Sequence, residues 1–98
     1  MSDNGSIVSK EKVQKYLDLT TEARLKATPI TNNIEDEKRL EDMLKMCDDY
    51  QIDALYFMNN GDLVRALGSI IYAHAWIDAS FRFGLLAGHG DSSLFTLP

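Results

Sequence analysis

Residues 54–68 read ALYFMNNGDLVRALG, and this stretch decides the fold. On both sides of Gly61 and Asp62 the apolar residues recur at helical rather than two-residue spacing, so the pair joins two antiparallel helices and not two strands. Gly61 lacks a Cβ and suits the left-handed residue just past a helix end, while Asp62 is a strong N-cap for the helix that follows. Gly61 and Asp62 are therefore the expected structural turn and cap.

Working outward toward the C-terminus, Leu63 to Ala87 reads as one helix with apolar residues on nearly every face. Leu63, Leu67, Ile70, Ile77, Phe81 and Leu85 form one stripe, and Val64, Ile71, Ala75 and Leu86 form a second. A helix apolar on two faces needs two neighbours, so this segment is expected at the centre of a bundle or against another subunit. It holds 17 apolar residues in 25, but Arg65, His74, Asp78 and Arg82 interrupt it. Those groups in lipid would cost several kcal/mol, so a buried helix is preferred over a membrane span.

Toward the N-terminus, a second helix is expected from an Asn33 cap to about Asn60. Glu35, Asp36 and Glu37 stand where the helix dipole favours acids. Its stripe is Leu40, Met43, Leu44, Cys47, Tyr50, Ala54, Phe57 and Met58. Residues 35–53 hold eight acids and three bases, so the whole net charge of −5 resides on this helix. A first helix runs from a Ser9 cap to about Thr28, with Val8 placed to pack on Val13 and Pro29 ending it. Its stripe is thin. The expected fold class is all-α, an up-down-up three-helix bundle with short connections, spanning residues 9–87. A flexible N-terminus (1–8) precedes it. Residues 88–98 form a tail that either frays or docks Leu94 and Phe95 on the bundle or on a second subunit.

Composition narrows the function classes. The chain has 98 residues, 45% hydrophobic and 26% charged, enough for one modest core but not for separate cofactor and substrate domains. An acidic balance argues against nucleic acid and against an anionic membrane as partners. The lone Cys47 fits a reducing, cytoplasmic compartment, and Met1 to Lys10 carries no signal-peptide core.

Candidate chemistry centres on a polar seam of Asp49, Asp53, Tyr72, His74 and Asp78. Asp78 lies one turn after His74, within reach of its imidazole, an arrangement that orients a base or a metal ligand or satisfies a half-buried ring. Antiparallel pairing about Gly61 sets Asp49 opposite His74, a possible but incomplete pair of ligands. It sets Asp53 level with Ser69, roughly 13 Å along the axis from Asp78 at ~1.5 Å per residue, too far for one ion to bridge. Asp53 is therefore expected to be buried and hydrogen-bonded to Ser69 or Tyr72. Tyr16, Tyr50, Tyr56, Tyr72 and Trp76 offer further polar groups, and Cys47 on the packed stripe behaves as a small hydrophobe. No phosphate loop, metalloprotease helix or nucleophile elbow occurs, so no catalytic residue, metal or cofactor is assigned.

Tyr50, Asp53, Ala54, Tyr56 and Phe57, then Gly61, Asp62, Ala66 and Leu67, then Tyr72, Ala73, His74, Trp76, Asp78 and Ala79 with Gly84 and Leu85, resemble a known family. It is the archaeal domain of unknown function 357. The resemblance implies a compact three-helix bundle of archaeal, cytoplasmic origin, and it transfers no activity. The leading functional expectation is a non-catalytic interaction or assembly module that forms a homo-oligomer with itself or binds another protein. The alternative is a ligand-binding or hydrolytic domain using the polar seam.

Overall fold

A computed structural model describes residues 7–91 and 93–95. The elements in chain order are α1 (Lys10–Lys26), β1 (Thr28–Pro29), α2 (Ile34–Asn59), α3 (Leu63–Arg82) and β2 (Leu86–Ala87). The three helices form an all-α bundle of 48 × 25 × 18 Å, in which α3 packs most extensively on α2, less on α1, while α1 and α2 barely meet. No helix among the described residues is long and apolar enough to cross a membrane.

Each helix starts where its cap is written. Ser9 accepts from the Lys12 amide at 3.1 Å, Asn33 from Asp36 at 2.8 Å and Asp62 from Arg65 at 3.1 Å. These bonds satisfy amides that have no partner within the helix. Val8 packs against the core just ahead of the Ser9 cap, as a hydrophobic staple should. The rest of the expected flexible N-terminus, residues 1–6, lies outside the described residues.

The ends of α2 and α3 use one device twice. Gly61 sits at φ +77° with its amide on Met58 O (3.1 Å), and Asp62 donates to Phe57 O (2.9 Å). Gly84, also at φ +77°, donates to Phe81 O (3.0 Å), and Leu85 to Ser80 O (2.9 Å). Both are the paired bonds of a Schellman close around a left-handed glycine. The second close corrects the expected third helix, which ends at Arg82 and not at Ala87. Leu85 and Leu86 thus leave the helix. Leu86–Ala87 pairs antiparallel with Thr28–Pro29, and Ile30 donates to Leu85 O at 3.0 Å. This short ladder clips the α1–α2 connection to the chain leaving α3.

The core is Val13, Leu17 and Ala23 of α1, Leu40, Cys47, Ala54 and Met58 of α2, and Ala66, Ile70, Ala73 and Ile77 of α3. Large side chains fully buried there, such as Ile70 and Ile77, contribute roughly 1.5–3 kcal/mol each. At Leu94 and Phe95 the tail docks on its own bundle. Leu94 and Phe95 are buried, and the Phe95 ring stacks on Phe81 with centroids 5.7 Å apart. Gly88 lies between these rings, where a Cβ would come within 2.8 Å of both. Outside, Lys26 Nζ reaches Asp91 Oδ2 at 2.6 Å. That hydrogen bond, with a smaller one from Ser93, holds the Asp91 carboxyl down at about 2. Leu97 lies outside the described residues.

Candidate functional site

His74 is the one member of the expected seam on which three segments converge. It stands midway along α3 with its Nε2 2.8 Å from the Leu94 carbonyl and its Nδ1 3.0 Å from Thr20 Oγ1 of α1. A carbonyl only accepts, so Nε2 carries the proton. In the neutral ring Nδ1 is then the acceptor, and the buried Thr20 hydroxyl donates to it. Asp78 approaches the same Nε2 at 3.8 Å, one helical turn on, as the spacing predicted. Both ring nitrogens are thus engaged. The lone pair that a metal or a general base needs is directed at Thr20. The arrangement ties α1, α3 and the tail together, which is a structural rather than a chemical task.

The other seam residues go elsewhere. Asp49 does not meet His74: it takes Lys45 Nζ at 2.7 Å on the outside of α2, and this contact raises the lysine pKa. Asp53 is exposed and makes no hydrogen bond to Ser69 or Tyr72, contrary to the expectation of a buried partner. The reason is angular. The buried line of α2 passes through Cys47, Ala54 and Met58, and Asp53, one residue before Ala54, is turned about 100° away from it. Tyr72 is half exposed and meets Tyr50 edge-on at 4.6 Å and Trp76 at 6.1 Å, so the tyrosines build an aromatic seam, not a polar one. Trp76 Nε1, at its inner end, is buried with no hydrogen-bond partner among the described residues.

Sequence reasoning missed Thr20 and Leu94 as the partners of His74, and also the tie between α1 and α2. Arg24 grips Asp48 with two parallel bonds, Nε to Oδ1 at 3.1 Å and Nη2 to Oδ2 at 3.2 Å, and Gln51 donates to Thr21 Oγ1 at 2.7 Å. A buried, polar Thr20 in an otherwise apolar stripe was the only signal for the first. Cys47 fills the core beneath Asp48. Burial, helped by the Asp48 charge and opposed by Arg24, pushes its thiol up to about 11, far from nucleophilic. No group of three His, Cys, Asp or Glu among the described residues is placed to hold a metal ion. Open grooves lie away from His74. One of about 610 Å³ runs over Leu40 and Leu44 between Arg24 and Glu41, and one of about 420 Å³ lies beside Met43, Phe83 and Leu85.

No curated protein and no solved structure matches the chain. One family does match, described as a protein of unknown function (DUF357), over residues 15–86. That span runs from the middle of α1 through the helical closes at Gly61 and Gly84 and includes His74, so the chain belongs to the DUF357 family.

Proposed function

We propose that this protein is a non-catalytic protein–protein interaction or assembly module. The observation that carries the reading is the outer face of α3. Val64 is 72% exposed and Ile71 51%, and with the exposed Gly68 and Ala75 they form an apolar line that no described residue covers. Large apolar side chains in one row, rather than scattered singly, mark contact surfaces. The alternative, a ligand-binding or hydrolytic seam, is disfavoured because its histidine is engaged at both nitrogens and its carboxylates diverge. The lone, buried Cys47 and the family resemblance support a cytoplasmic, archaeal setting.

The test compares three proteins exposed to a cell extract of the source organism: wild type, Ile71→Asp and His74→Gln. Bound proteins and small molecules are identified by mass spectrometry. Protein capture by the wild type, lost in Ile71→Asp and retained in a folded His74→Gln, supports the module. A small molecule retained by the wild type and lost only in His74→Gln would overturn it in favour of the seam.

A further inference from the structure

Gly68 is an anomaly within its own chain. It sits inside α3 with ordinary helical backbone, and nothing lies within 4 Å of where its Cβ would be. Glycine there weakens the helix relative to alanine, and neither a turn nor a close internal contact requires it. A missing side chain at an exposed helical position has a use when another backbone or a bulky side chain must come close. Two neighbours point the same way. Val64 and Ile71 flank Gly68 at four and three residues, and Ala75 follows four further on, the alternating spacing of a helix–helix seam.

We infer that the outer face of α3 binds a second copy of this chain, α3 against α3 and antiparallel, with Ile71 of each copy seated over Gly68 of the other. The inference rests on the interaction-module reading and names its partner. The occupant is identified by self-complementarity. When two α3 helices run antiparallel with their two-fold axis between Ser69 and Ile70, Ile71 faces the second copy's Gly68 and Val64 faces the second copy's Ala75. Every large residue of the line then meets a small one, and each contact occurs twice, as an isologous interface demands. A parallel pairing would set Ile71 against Ile71 and leave Gly68 facing Gly68 across a gap. Charge agrees. No residue of the line 64, 68, 71 and 75 is charged, so closing the seam buries no carboxylate or ammonium.

Sedimentation equilibrium and a spin-label distance test this. The wild type is expected to be a dimer at high micromolar concentration. Gly68→Glu places a bulky charge in the slot for Ile71 and faces its own copy near the axis. Dimerisation should weaken about a hundredfold or more, as like-charge contacts cost several kcal/mol. The monomer keeps its fold, because glutamate is the better helix former. Val64→Asp, which adds an acid to the first turn of α3 where it suits the helix, should also give a folded monomer. In the wild-type background, labels on Arg82→Cys should lie about 40 Å apart in the antiparallel dimer at ~1.5 Å per residue, against roughly one helix diameter in a parallel one. A dimer indifferent to Gly68→Glu, or a short label distance, overturns the inference. So does a strict monomer. If that monomer still captures another protein through Ile71, the module reading survives and only the self-partner falls; if it captures none, both fall.

Discussion

Replacing Thr20 by valine removes one hydroxyl and almost no volume, and so measures the bond at the centre of the molecule. Thr20 is 1% exposed, and its hydroxyl is the donor to His74 Nδ1 at 3.0 Å. Valine keeps the β-branched shape that α1 accommodates there, so no cavity opens. What remains is a ring nitrogen with a lone pair facing a methyl group. Leaving a buried acceptor unsatisfied costs about 1–3 kcal/mol. The His74 side chain is 23% exposed, so water partly reaches the ring, and the lower half of that range, about 1–2 kcal/mol, applies. For a domain of this size the loss corresponds to a fall in Tm of about 5–15 °C. Urea unfolding should show a lower midpoint with an unchanged slope. Thr21→Val, which removes an exposed acceptor of Gln51, is the control and should stay within about 0.5 kcal/mol. The ring ¹⁵N shifts of the wild type should report the proton on Nε2. A Thr20→Val protein as stable as the wild type, or a wild-type ring protonated on Nδ1 alone, would refute the reasoning.

Three further outcomes are expected. Asp62→Ala removes the cap that accepts from Arg65, and chemical denaturation should show a loss of about 0.5–2 kcal/mol. Gly88→Ala drives a methyl into the Phe81 and Phe95 rings at 2.8 Å, and overpacking of this kind costs about 1–3 kcal/mol; hydrogen exchange should show the amides of Leu94 and Phe95 opening first. The Asp91 carboxyl is held at about 2 in the folded chain, below its unfolded value of ~3.9, so its contribution is complete above about pH 4 and disappears as pH falls through 2. Urea midpoints of wild type and Asp91→Asn should therefore differ at pH 5 or above and converge near pH 2; a constant difference would disconnect Asp91 from the docking of the tail.

The helices were legible because their ends carry local chemistry. Ser9, Asn33 and Asp62 cap as their side chains require, and Gly61 occupies the left-handed position that the turn between α2 and α3 needs. The same signal stood at Gly84, but Leu85, Leu86 and Ala87 continue the apolar pattern beyond it, and periodicity extended the helix past its true end. A Schellman close requires only a left-handed residue and two amides, and it overrides an apolar run whose side chains find burial in a ladder instead. The clip between Thr28–Pro29 and Leu86–Ala87 was not legible. Each strand has two residues, too few for an alternating pattern, and one of them is a proline.

The polar seam failed for a related reason. Level along the axis was estimated from the Gly61 turn, but level says nothing about azimuth, and a carboxylate and a histidine at one height are useless to each other on different flanks of their helices. His74 looks toward α1 and the tail, and neither neighbour follows from pairing about the turn. The apolar surplus of α3 was read from sequence as one quantity, more surface than two helices cover. It has two destinations. Phe81 is covered by the stacked Phe95, and Leu85 and Leu86, past the helix end, are buried where the returning chain passes, so that part of the surplus becomes the chain's own core. The described residues of the tail do not reach Val64, Ile71 and Ala75, and on that open line stands a glycine that stability of the isolated helix would replace with alanine. Folding alone accounts for the first stripe and for Leu86 of the second, whereas Val64, Ile71 and Ala75 stay exposed and the Gly68 among them weakens its own helix without easing any internal contact.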